Sequence, residues 1–157
     1  MHDTFYCGKR FRVFNIIDQS TRGCLAIEVD TSLLAQRWVR VMEHLKAERG
    51  LPRQVRLDNG PELISRTFAN WCKEQGVEAL YIQKGNPQQN GFAECFSGSF
   101  RCEFLDAYLF ESLSQIREMA LLWRLDYNDE RPHESLGHLP PSIYRQKLEN
   151  SSVAVSL

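Results

Sequence analysis

The sequence predicts an α/β domain with a mixed sheet, on three observations: two β-rich runs open the chain, helical and strand-like periods alternate behind them, and the last third reads as helix. Residues 10–18 (RFRVFNIID) and 23–30 (GCLAIEVD) are β-branched and aromatic, and QSTR with Gly23 between them makes an antiparallel hairpin. Leu25, Ile27 and Val29 share one face of the second strand by the two-residue period. The run before Cys7-Gly8-Lys9-Arg10 reads as the tail of an earlier strand, left short because it begins at Met1. From Thr31 the period becomes helical, with Leu34, Trp38, Val41, Met42 and Leu45 on one stripe and Gly50 and Pro52 as the stop. A short strand, QVRLD, leads to Asp58. A second helix carrying Phe68, Trp71 and Cys72 ends at Gly76, and ALYIQ at 79–83 is another strand. That alternation implies parallel crossovers onto the hairpin sheet. Beyond Lys84-Gly85-Asn86-Pro87, Ser112 and Gln115 form a capping box for a helix whose stripe is Ile116, Met119, Ala120, Trp123 and Tyr127. Trp38 and Trp123 read as core residues. A final short helix starts near Pro140-Pro141, and SSVAVSL frays.

Composition narrows the function classes. With 157 residues, 43% hydrophobic and 25% charged, the chain is one globular domain that buries roughly 70% of its unfolded surface without disulfides or a structural metal. No apolar run approaches the roughly 18 residues of a membrane span. Five cysteines without a C-x-x-C pair support neither a disulfide framework nor a zinc knuckle and point to a reducing cytosol. The net charge is −1, unevenly spread: residues 1–56 hold ten Lys/Arg against six Asp/Glu, and 57–157 hold nine against fourteen. Ordinary solvated faces account for that asymmetry better than a binding patch does.

Two acids stand apart from this background. Asp58 ends a strand and precedes Asn59-Gly60-Pro61, so its carboxylate faces the crevice beyond the strand ends, where open α/β sheets bind ligands. The same four residues are also good turn chemistry and need no further role. Glu94 lies early on a helix beginning near Asn90, opposite Phe92, Phe96 and Phe100, and Arg101 returns to its face seven residues on. A solvated face looks similar, but the amide-rich approach GNPQQN does not follow from one. Two carboxylates on separate elements are material for binding Mg²⁺ or Mn²⁺, and two such ions clamp a phosphodiester.

LDNGPE (57–62), 35 residues between Asp58 and Glu94, GNPQQNGFAE (85–94) and YNDERPHESL (127–136) together resemble the catalytic core of bacterial insertion-sequence transposases of the insertion-sequence-three family, which is similar to retroviral integrase. The resemblance runs from Met1 to about Tyr144. It implies a ribonuclease H-like fold with a mixed central sheet flanked by helices, a truncated first strand and extra C-terminal helices. It also implies an Asp-Asp-Glu triad that holds two divalent ions, Mg²⁺ or Mn²⁺, for cleavage and strand transfer at DNA ends. Asp58 matches the second acid and Glu94 the third. Asn86-Pro87-Gln88 matches the active-site loop, so Lys84, Asn86, Gln88, Asn90 and Arg101 are the implied DNA contacts. Arg131-Pro132-His133 marks a closing segment of structural role.

The departures from the family pattern set the remaining expectations. The family's first acid, in a Trp-x-x-Asp-Phe strand, aligns upstream of Met1. Asp3 lies four residues past that place, about 13 Å along an extended strand, and Asp18 matches a position at the hairpin turn. After Glu94, Cys95-Phe96-Ser97-Gly98 replaces two DNA-contacting groups, and Gly98 costs the helix about 1 kcal/mol relative to alanine. The family's helix-turn-helix segments are not among the 157 residues. The reading is therefore a transposase catalytic domain (1–149, with a frayed tail at 150–157) whose own activity is impaired or absent. It is placed in a bacterial cytoplasm, with DNA and either a second copy or a full-length transposase as partners. A second reading is a non-catalytic interaction module that lowers the activity of an intact transposase. A third is an independent nuclease using Asp3 or Asp18.

Overall fold

The computed structural model describes residues 1–58, 65–83 and 85–154. The chain divides into two compact units, Met1–Asp30 with Ser97–Leu157, and Thr31–Phe96.

The first unit opens with three antiparallel strands in spatial order β1 (His2–Thr4), β2 (Arg10–Ile17) and β3 (Cys24–Asp30). His2 pairs with Arg12, Thr4 with Arg10 and Val13 with Val29, and a register shift at Ile16 and Ile17 takes up the turn. The alternation places Phe11, Val13 and Val29 in the core and leaves Arg10 and Arg12 exposed. At the β2–β3 turn, Asp18 Oδ1 accepts from the Ser20 amide at 2.9 Å and the Ser20 hydroxyl at 2.6 Å. Asp18 thus points into its own turn, as its alignment implied.

Among the described residues β3 pairs with β2 alone, and side chains of α4 (Leu113–Asp129) hydrogen-bond to its backbone. Arg117 Nε donates to the Val29 carbonyl at 3.0 Å, and Arg124 donates to the Leu25 carbonyl. Asn128 accepts from the Cys24 amide and donates to the Cys24 carbonyl, both at 2.8 Å. Polar side chains on an edge strand satisfy its backbone groups and discourage pairing with another chain. Ser112 caps α4 through its hydroxyl, 3.2 Å from the Gln115 amide. The reciprocal arm differs from the expected capping box, because Gln115 Oε1 takes the amide of Glu111, 2.8 Å away, instead of that of Ser112.

The core of this unit is aromatic. α3 (Gly91–Phe100) is followed without a break by a π-helical turn, Arg101–Leu105, closed by the Asp106 amide on the Arg101 carbonyl at 2.8 Å. Phe100 and Phe104 stack at 4.8 Å, Phe104 reaches Phe110 at 5.2 Å, and Trp123 meets Phe100 edge-on at 4.9 Å. Arg131 lies over Trp123 and Tyr127, 5.5 and 5.4 Å from the ring centres, and forks onto the Glu103 carboxylate. The last helix, α5 (Pro141–Ala154), is longer than expected and takes in part of the segment read as tail; residues 155–157 lie outside the described residues.

His133 follows this arginine and packs edge-on against Tyr127 at 4.9 Å. Burial, then Arg131 and Arg22, lower its pKa, against a hydrogen bond to Tyr127 that raises it. The unfolded chain therefore binds the extra proton more readily, so native stability falls as pH drops below the ordinary histidine value of about 6.5. The loss of stability between about pH 7.5 and about pH 5.5, read from urea midpoints, should be smaller in His133→Gln than in the wild type. An identical loss would assign the slope to other groups.

In the second unit, α1 (Ala35–Arg49) and α2 (Arg66–Gln75) flank a parallel pair, β4 (Gln54–Leu57) and β5 (Glu78–Tyr81), registered Gln54 to Glu78 through Leu57 to Tyr81. Trp38, Val41, Met42 and Leu45 bury one stripe of α1 against Phe68, Trp71 and Cys72 of α2. Phe68 stacks on Trp71 at 5.9 Å, and the Trp71 indole donates to Glu43 at 2.7 Å. α1 starts at Ala35 instead of Thr31, with Leu34 as an N-cap lacking a side-chain bond. Buried Leu33 holds the connection in the core, which overrides the cap chemistry of Thr31 and Ser32. α2 ends as expected at Gly76 in the left-handed region, φ 71°.

Candidate active site

Both parallel strands of the second unit end at the same level. The Leu57 carbonyl accepts from the Ile82 amide at 3.0 Å, one bond beyond β5, and Asp58 follows directly with an exposed side chain. This is the carboxyl end of a parallel pair, where the backbone stops pairing and side chains reach into solvent. Asn59-Gly60-Pro61 and the rest of 59–64 lie outside the described residues, as does Lys84.

The approach to Glu94 is anchored to those strand ends. Gly85 takes φ 91°, a left-handed conformation that glycine adopts without strain. A 3₁₀ turn, Pro87–Asn90, then runs straight into α3. Arg56, two residues before Asp58, donates to the Gln89 carbonyl at 2.6 Å. The Gln89 side chain accepts from the Gln83 amide just past β5, at 3.3 Å. The Asn86 amide donates to Gln83 and the Gln89 amide to Asn86, each at 3.2 Å. The structure therefore ties the strand that delivers Asp58 to the turn that delivers Glu94.

Glu94 is the fourth residue of α3 and is exposed, while Phe96 and Phe100 are buried, as their opposite phases require. Asn86 and Gln88 are exposed and Asn90 is half-buried. Arg56 and Gln89 are the residues that sequence reasoning missed. Their bond depends on tertiary packing across 33 positions, and the run of amides gave no sign of which one was structural.

Arg101 is bound within the first unit. Its Nη2 donates to the His2 carbonyl at 3.0 Å, and its Nη1 lies 3.4 Å from Asp3 Oδ2 and 3.6 Å from Asp106 Oδ1. Of the two stand-ins for a further acid, Asp3 is thus paired with an arginine and Asp18 is held in its turn. Among the described residues, no group of three or more His, Cys, Asp or Glu is arranged to hold a metal ion. Asp58 and Glu94 match Mg²⁺ or Mn²⁺ in kind, as hard carboxylate oxygens, and among the described residues no third such group joins them.

Two models of the integrase core domain match the chain, one over residues 1–87 and one over 75–141. Among similar proteins, the insertion element IS476 uncharacterized 39.2 kDa protein of Xanthomonas euvesicatoria is 38% identical over 155 residues, covering 96% of this chain and 45% of that protein. The insertion element IS407 uncharacterized 31.7 kDa protein of Burkholderia multivorans is 36% identical over 145 residues, covering 92% of this chain and 52% of that protein. The chain spans about half the length of these relatives. In fold it is similar to the HTLV-2 integrase catalytic core domain solved with magnesium in a trimeric form (TM-score 0.69, 13% identity, 92% of this chain and 90% of that one). It is likewise similar to the catalytic core domain of BIV integrase (TM-score 0.68, 17% identity, 97% and 95%). At these identities the likeness speaks to fold alone, and it bears out the ribonuclease H-like expectation.

Proposed function

From the premise that this chain belongs to the integrase core domain family, as an insertion-sequence transposase catalytic core of the retroviral-integrase-like kind, we propose that Asp58 and Glu94 are two acids of a metal-dependent site that cleaves and joins DNA ends. The observation that carries the reading is the Arg56–Gln89 tie. It fixes the strand end bearing Asp58 to the turn that leads into the Glu94 helix, which is the preorganisation a two-acid site requires. Asp58 and Glu94 would hold Mg²⁺ or Mn²⁺, which when bound supplies Lewis acidity to the attacking and leaving oxygens of a phosphodiester. Lys84, Asn86, Gln88, Asn90 and Arg101 contact the DNA. The amides orient the strand by hydrogen bonds to phosphate and sugar, and the two cations offset phosphate charge.

The occupied states of Asp3 and Asp18 favour a corollary. In this structure Asp3 is engaged by Arg101 and Asp18 by its own turn, and neither joins Asp58 and Glu94 as a third ligand among the described residues, so this chain holds metal weakly and does not cleave by itself. The same fact favours the second reading, an interaction module acting on an intact transposase or on a second copy, over an independent nuclease. The setting is the cytoplasm of a bacterium, as befits relatives from bacterial insertion elements. No helix among the described residues is long and apolar enough to cross a membrane. The test is Mn²⁺-dependent duplex cleavage in a chimaera carrying this chain within an intact relative. Asp58→Asn and Glu94→Gln should each abolish it without unfolding the protein.

A further inference from the structure

Arg101 presents an arrangement that the reading above does not explain. The two terminal nitrogens of a guanidinium are the fork that grips two oxygens of a phosphate. In this structure both are turned onto acceptors of the chain itself: Nη2 onto the His2 carbonyl at 3.0 Å, Nη1 toward Asp3 Oδ2 at 3.4 Å and Asp106 Oδ1 at 3.6 Å. One cation between two carboxylates leaves the cluster at net −1, which repels a phosphodiester. The Asp3 carboxylate is also fixed in place, since its other oxygen accepts from the Thr4 amide at 2.7 Å.

We propose that Asp3 is a built-in competitor for the phosphate that Arg101 serves, so that DNA engagement exchanges an Arg101–Asp3 pair for an Arg101–phosphate pair. The inference rests on the assignment of Arg101 as a phosphate contact. Geometry makes the exchange feasible. Charge-assisted bonds of full strength are about 2.7–2.9 Å long, and both carboxylate contacts here are longer. Arg101 is 39% and Asp3 27% exposed in their side chains, so solvent weakens the pair and a phosphate can reach it. Asp106 is a lesser competitor, being 55% exposed and farther away. Asp3 therefore sets the affinity and salt dependence of the duplex site, acting through Arg101.

The test is fluorescence anisotropy of a short duplex oligonucleotide titrated with the 157-residue chain across a range of salt. Asp3→Asn keeps the acceptor for Thr4 and removes the charge. It should raise affinity threefold or more and steepen the salt slope by about one counterion, with a smaller gain in Asp106→Asn. In an Arg101→Gln background both gains should vanish. An Asp3→Asn protein with unchanged or weaker binding overturns the proposal. So does a gain of equal size in the Arg101→Gln background, which reports a general charge effect. Wild-type binding that Asp3→Asn leaves unchanged sinks this inference alone, whereas no binding by any variant sinks the DNA-contact assignments with it.

Discussion

Phe100→Ala should lower the stability of the fold by about 4 kcal/mol, within the usual range for a buried phenylalanine truncated in a core. Phe100 has no exposed surface, stacks on Phe104 at 4.8 Å and takes Trp123 edge-on at 4.9 Å. Removing the ring leaves two aromatic faces against a void, and neighbours packed at interior density fill such a void only partly. A domain of this size is stable by about 5–15 kcal/mol, so a loss of 4 shifts the urea midpoint far while leaving a transition to measure. The same ring explains how α3 tolerates Gly98. Its side-chain position is open, with nothing within 4 Å, and the roughly 1 kcal/mol that glycine costs is outweighed by burial of Phe96 and Phe100 on the opposite face. A measured loss below about 2 kcal/mol would mean the aromatic cluster is not the core of this unit.

The second large effect concerns chemistry. In a chimaera where this chain replaces the matching 145 residues of its Burkholderia relative, Asp58→Asn and Glu94→Gln should each reduce Mn²⁺-dependent cleavage by about a thousandfold. That corresponds to about 4 kcal/mol of transition-state stabilisation, in line with what metal-bound carboxylates contribute. Each substitution is nearly isosteric at an exposed side chain, so urea stability should change by less than about 0.5 kcal/mol. Retained cleavage in Asp58→Asn would remove that residue from the mechanism, and loss of fold in either variant would mean the carboxylate has a structural task.

Much of this architecture was legible because local chemistry and global fold agree. Gly76 ends α2 in the conformation glycine favours, and the Trp38-Val41-Met42-Leu45 stripe is buried as its spacing requires. Asp58 falls at the strand end where QVRLD placed it. What escaped depends on partners distant in sequence. Arg101 was legible as a cation in phase with Glu94, yet its bonds run to Asp3 and His2, 98 and 99 residues away. Asn128 holds the β3 edge across 104 residues, and nothing in YND marks it for that role. The π-helical turn at Arg101–Leu105 carries no sequence signal. It re-phases the chain after Phe100, and Phe104 then stacks on Phe100 and packs at a tilt against Phe110.

The central claim is that Asp58 and Glu94 serve one metal site, and calorimetric titration of the 157-residue chain with Mn²⁺ tests it most directly. The wild type should bind weakly, Asp58→Asn and Glu94→Gln should each lower affinity about tenfold or more, and the double variant should be little worse than either, because groups sharing one ion are not additive. A folded wild-type chain that binds no Mn²⁺, or binding that neither substitution alters, would contradict the account.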